Sequence, residues 1–122
     1  MTDKACILVC VTVQKECERL IRRGSDDARA HHLPLHIIHV NTGKNYYLGN
    51  PDAAEALNHL YALARETDAE MNILYNSDVL DAIVTYAKEN GARELILGTD
   101  RSGFVQQLSL LMPLCQVIAL PA

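Results

Sequence analysis

Short apolar runs alternate along the chain with longer stretches in which apolar side chains recur every three or four positions. The runs predict strands over residues 7–11, 35–40, 71–75, 94–98 and 114–120. The run over 7–11 is continuously apolar, as expected of a strand covered on both faces of a parallel sheet. Between the runs, the spacing predicts a helix over about 15–32 with Cys17, Leu20, Ile21, Gly24 and Ala28 on its apolar face. A second helix opens at Pro51 and Asp52, with Ala53, Leu57, Leu60, Ala64 and Thr67 turned inward. A third follows the capping oxygens of Asn76, Ser77 and Asp78, carries Val79, Leu80, Ile83, Val84 and Ala87, and stops at Asn90 and Gly91. A short fourth helix over about 104–112 ends at Pro113.

The order βαβαβαβαβ, with right-handed helical crossovers, predicts one α/β domain over residues 1–122: a doubly wound, five-stranded parallel sheet with helices on both faces. Ligands of such sheets sit beyond the carboxyl ends of the strands. Those ends carry Thr12 and Val13, Asn41 and Thr42, Asn76 and Ser77, and the turn over 98–103. In that turn Thr99, Ser102 and the backbone amides can cradle an anion beside a helix N-terminus. The same glycines equally suit a tight strand-to-helix turn, and the pattern leaves both readings open.

Composition narrows the choice of partners. Among 122 residues, eleven Lys and Arg stand against fifteen Asp and Glu, for a formal charge of −4. No basic run exceeds Arg22 and Arg23, so no nucleic-acid partner is expected. No apolar segment approaches the ~20 residues that cross a bilayer, and the opening residues do not form a signal peptide. A cytoplasmic protein with no membrane partner is expected. Its four cysteines, Cys6, Cys10, Cys17 and Cys115, form no C-x-x-C pair and read as reduced packing residues, Cys6 and Cys10 on one strand face and Cys115 in another strand. Cys17, at a helix start, is the thiol a helix N-terminus would activate.

His31, His32, His36 and His39 cluster in the sequence, but positions 36 and 39 differ by an odd number along a strand and point to opposite faces. They read as surface and helix-end histidines, and no metal site is expected. Thr42, Gly43 and Lys44 lack the earlier glycine and following hydroxyl of a phosphate-binding P-loop, and Tyr46 and Tyr47 fit a ligand cover or a subunit contact equally well. There is no G-x-S-x-G or H-E-x-x-H motif, and Asp100 is the sole acid at the expected ligand face, which favours a non-catalytic protein.

The text NSDVLDAIVTYAKENGARELILGTDRSG, over residues 76–103, resembles the second half of a universal stress protein domain. The text from ILVCV to HIIHV, over residues 7–40, is similar to that family's first strand, helix and second strand, and closest to the variant embedded in potassium-sensing histidine kinases. The resemblance implies an adenine nucleotide alpha hydrolase-like fold with strand order 3-2-1-4-5, frequent homodimers, and in one branch ATP between the first and fourth strands; that order leaves the apolar C-terminal strand over 114–120 at an edge, where a second copy is expected to pair. Thr12 stands where ATP-binding members carry an aspartate. Their loop, G-x-x-G followed later by G-[S/T], falls here on Gly98, Arg101, Leu111 and Met112. Gly103 can serve as a displaced glycine and Arg101 can meet a phosphate with its guanidinium. The resemblance thus leads us to expect a regulatory protein that senses an adenine nucleotide, ATP included, or another phosphate-bearing metabolite through Thr12, Val40, Gly98, Thr99, Arg101 and Gly103. An ATP-hydrolysing member of the family and a ligand-free dimeric interaction module are the alternatives.

Overall fold

The computed structural model describes residues 4–12, 17–43, 51–99 and 103–121, the side chains of 51–53 excepted. Five strands alternate with four helices: β1 (Cys6–Cys10), α1 (Glu18–His31), β2 (Leu35–Asn41), α2 (Pro51–Glu66), β3 (Glu70–Tyr75), α3 (Val79–Asn90), β4 (Ala92–Gly98), α4 (Phe104–Leu111) and β5 (Gln116–Leu120). All strand pairs are parallel and the order is β3-β2-β1-β4-β5, as expected.

Alternation along each strand sorts side chains into two cores. Ile7, Val9, Ile37 and Ile96 meet Leu20 and Ile21 of α1 and Leu60 and Leu63 of α2. On the other face, Cys6, Leu8, Ile38, Leu95 and Leu97 meet Ile83 of α3 and Leu108 of α4. Ile7, Leu8 and Val9 have no exposed surface, which is why β1 reads as an unbroken apolar run.

The helix ends follow the sequence signals. The Asp78 carboxylate accepts the amide of Asp81 at 3.1 Å to cap α3. Gly91 closes the same helix at φ +66°, and a Cβ there would stand 1.8 Å from the Lys4 carbonyl oxygen. The close approach lets Cys6 donate its amide to the Gly91 carbonyl at 3.2 Å and brings β1 alongside β4.

Several details depart from the sequence expectation. The apolar face of α2 is rotated: Ala56, Leu60, Leu63 and Ala64 are buried, Leu57 and Thr67 only partly, and Ala53 lies outside the described side chains. Thr67 instead donates its hydroxyl to the Leu63 carbonyl at 2.7 Å, which suits the last turn of a helix better than the core. β5 begins at Gln116, two residues late, because Cys115 closes a turn by donating its amide to Met112 at 3.1 Å. Cys115 therefore precedes the strand in which it was expected, and Leu114 is 98% exposed.

Gly24 of α1 sets how closely that helix lies on the sheet. A Cβ there would come within 2.5 Å of Val9 Cγ2 and 3.0 Å of Leu35 Cδ1. Alanine is a better helix former than glycine by ~1 kcal/mol, but overpacking a rigid core costs about 1–3 kcal/mol. Gly24→Ala is therefore expected to lower unfolding stability in urea titration. Gly91→Ala should cost more, because the obstruction is backbone and the conformation left-handed.

Candidate functional site

The winding reverses between β1 and β4: β2 and β3 lie on one side of β1, β4 and β5 on the other. Helices diverge at such a point and leave a crevice beyond the strand ends. A cavity of about 550 Å³ occupies it, lined by the ends of β1, β2 and β4 and the first turns of α1, α3 and α4.

Four of the six sequence-predicted site residues, Thr12, Val40, Gly98 and Thr99, line this cavity. Gly103 is displaced from the lining and serves as the N-cap of α4 at φ +76°. Arg101 lies outside the described residues, as do Val13, Lys44, Tyr46, Tyr47, Asp100 and Ser102. Sequence reasoning missed Cys10, Arg19, His39 and Phe104 as lining residues. Their positions at strand ends or in first helical turns were a signal that could have found them.

Main-chain bonds hold the strand ends. Val11 donates its amide to Ile38 at 2.9 Å, and Thr99 donates to Leu120 at 3.1 Å. Nδ1 of His39 lies 3.1 Å from the Val11 carbonyl oxygen, so the ring bears its proton on Nδ1 and ties β2 to β1. On the next strand end, Asn41 Oδ1 accepts the Gly43 amide at 2.8 Å and shapes the turn.

The helix termini differ in a way that matters for charge. Asp78 caps α3 with its side chain, whereas neither Cys17 at α1 nor Gly103 at α4 makes a side-chain cap bond. First-turn amides of α1 and α4 thus lack that internal acceptor, and the positive ends of both helices border the cavity. Arg19 adds a cation to the lining, and no described lining residue is acidic. The arrangement suits a ligand with an apolar or aromatic body against Val40 and Phe104 and an anionic group towards the helix ends.

A larger groove, about 670 Å³, lies at the opposite end of the sheet, between the C-termini of α1 and α2. Its cations are already engaged: Arg22 pairs with Glu18 and Glu66, and Arg29 with Asp26. The crevice at the winding reversal is therefore the better ligand site.

The histidines disperse, and no group of three metal-ligating side chains occurs among the described residues. His31 and His32 end α1 as expected, but His36 and His39 are not surface residues. His36 is partly buried against Tyr86, its Nδ1 2.7 Å from the phenol oxygen, on the face opposite His39. Cys17 is buried in the core beneath α1, its Sγ 3.5 Å from the Thr12 hydroxyl.

The universal stress protein family matches residues 6–113 of this chain. A sensor protein, KdpD, of Mycobacterium tuberculosis is 33% identical over 95 residues, 78% of this chain and 11% of that protein. The chain thus spans about a tenth of the length of that relative. A universal stress protein of Archaeoglobus fulgidus superposes with a TM-score of 0.73 at 23% identity, covering 98% of this chain and 94% of the other. A structure of the universal stress protein from the same organism in complex with dAMP gives 0.71 at 23% identity, with 97% and 98% covered. The fold and the crevice define a doubly wound α/β domain of the kind that takes ligands at its strand ends. The chain belongs to the universal stress protein family.

Burial pushes the Cys6 thiol up from 9.0 to about 11, with Cys115 and Glu70 adding to it. Burial, and then the Glu94 charge, does the same to Cys115. At neutral pH these thiols should alkylate ~100-fold more slowly than free cysteine, since the reactive form is the thiolate. Iodoacetamide labelling followed by mass spectrometry should show rates that keep rising through pH 9–10.

Proposed function

We propose that this chain is a non-catalytic regulatory member of the universal stress protein family. In this reading it binds an adenine nucleotide, or another small phosphate-bearing metabolite, in the crevice between β1 and β4. The observation that carries the proposal is the cavity flanked by two helix N-termini without side-chain caps, with Arg19 beside them and no described acid in the lining. The dAMP complex of the Archaeoglobus fulgidus protein, which has the same fold, supports a nucleotide as the first ligand to try. The base would rest on Val40 and Phe104, and the phosphate would approach Thr12, Gly98 and Thr99.

A ligand at a hundredfold excess over its dissociation constant adds ~2.7 kcal/mol of stability. AMP, dAMP and ATP at saturation are therefore expected to raise the melting temperature. Gly98 offers a clean control, because a Cβ there meets nothing described within 4 Å. Gly98→Leu should fold normally and abolish the nucleotide shift by filling the cavity. Gly103→Val is a poorer control, since its positive φ strains any side chain. No shift at millimolar nucleotide would overturn the ligand reading, and release of phosphate from ATP would favour the hydrolytic alternative.

A homodimer through the C-terminal strand accompanies this proposal. β5 is an edge strand with one unpaired row of backbone groups, and Leu110 and Leu114 near it are 81% and 98% exposed. A cytoplasmic setting suits its four free thiols. Sedimentation should give twice the 13.5 kDa chain mass, falling to the monomer in the Leu110→Lys, Leu114→Lys double variant. A wild-type chain that stays monomeric at high concentration would rule the dimer out.

A further inference from the structure

One residue breaks the apolar lining of β4. Glu94 sits between Ile7 of β1 and Gln116 of β5 in the sheet register and is only 8% exposed. Its Oε1 has no hydrogen-bond partner among the described residues, and its Oε2 lies 3.3 Å from Nε2 of His31 at the end of α1. Asp27, one helical turn before His31, faces the same carboxyl closely enough to accept a hydrogen bond from it once it is protonated. Nε of Arg23 holds Asp27 in turn at 3.0 Å. Two carboxyl groups therefore meet under α1 with one guanidinium and one imidazole. β1 contributes no charge at this level. β5 contributes only the neutral Gln116, preceded by the Cys115 thiol, and Arg93 falls at the break in register between β4 and β1, where it is exposed.

We propose that Asp27, His31 and Glu94 form a proton-operated latch between α1 and β4, closed while the group holds one extra proton and loosened when that proton leaves. With the proton on Glu94, its O–H donates to the Asp27 carboxylate. Nε2–H of His31 donates to Glu94 Oε2 beside it. The proton on Glu94 cancels one negative charge at the buried carboxyl. Once the proton is gone, two carboxylates act on each other beside Arg23 and His31, and their repulsion acts directly between helix and strand.

The direction with pH follows from the same contacts. Burial, then the hydrogen bond and charge of Asp27, raise the Glu94 carboxyl above its ordinary 4.5, against the opposing pull of His31 and Arg23. The folded chain thus holds this proton more tightly than the unfolded one. The stabilisation is complete below the ordinary carboxyl range and disappears as pH rises through the raised value. The other displaced groups act elsewhere: Glu18 below its ordinary 4.5, Cys6 and Cys115 near 11, Tyr86 near 12, and Cys10 and Arg22 pushed up from already alkaline values. The pairs His36–Glu70 and His59–Glu18 bear on the same range, so the latch is isolated by comparing the wild type with Glu94→Gln from pH 5 to 8.

The first turn of α1 lines the crevice through Cys17, Arg19 and Leu20, so a loosened α1 also alters the ligand site. That consequence rests on the proposed nucleotide reading, whereas the latch does not. The test uses the unliganded full chain, so failure of one leaves the other standing. The melting temperature of the wild type is expected to fall as pH rises from 5 to 8. Amide-exchange protection of α1, referenced to α3, should fall with it. Glu94→Gln should remove both changes, because a neutral amide cannot lose the proton. If that variant does not fold, Asp27→Asn on the partly exposed helix flank should flatten the slope instead. A flat wild-type profile, or a slope unchanged in the variant that folds, would overturn the proposal.

Discussion

The complete burial of β1 on both faces is the constraint from which the other features follow. Ile7 and Val9 need α1 and α2 above them, while Cys6 and Leu8 need α3 and α4 below. A parallel sheet meets that need through helical crossovers of one hand, and covering both faces requires the winding to turn back at the central strand. The reversal beside β1 leaves the ends of β1 and β4 without a helix packed directly over them. The crevice is thus a by-product of protecting the core, and the fold brings helix N-termini to it because every crossover helix runs back against its strands.

The same burial governs the chemistry of the buried groups. Thiols that serve as packing atoms are pushed up in pKa by their burial, which favours the protonated, uncharged form. Tyr86, half-buried between β2, β3 and α3, is pushed up to about 12 chiefly by desolvation and gathers His36, Asn72 and Glu70 around its hydroxyl. Glu94 is the counter-case: a carboxyl retained in a strand that is otherwise apolar on its α1 face, answered only in part by the residues above it. A buried acid of this kind makes the seat of α1 depend on protons, and α1 reaches from that acid to the crevice.

Membership of the universal stress protein family adds context to these physical features. The chain matches a stretch of a much longer sensor protein, and solved family members share its fold at low identity. Low identity with a retained fold is what a two-faced apolar core permits, since many hydrophobic combinations fill the same layers. Ligand recognition does not tolerate such drift as easily. Thr12 in place of an aspartate, and Leu111 and Met112 in place of a final glycine and hydroxyl, therefore bear on what the crevice can hold more than on whether it forms.

The order of elements, the parallel pairing and the caps at Asp78 and Gly91 were legible in the sequence, because each depends on side chains near in the chain or on a simple period. The strand order came from resemblance, since hydrophobic runs alone do not say which neighbours they pair with. Tertiary structure decided the rotated face of α2, set by what Leu60 and Leu63 meet on the sheet, and the late start of β5, set by the turn at Cys115. It also decided that Thr12, Val40, Gly98 and Thr99, far apart in sequence, share one cavity with Phe104, while Gly103 turns aside to begin a helix. The pairing of Glu94 with α1 left no trace in the sequence, because a carboxyl near a strand start reads as solvated until a helix is laid over it. Periodicity reports how each segment partitions between water and core; which partitioned segments touch is settled only when the layers close.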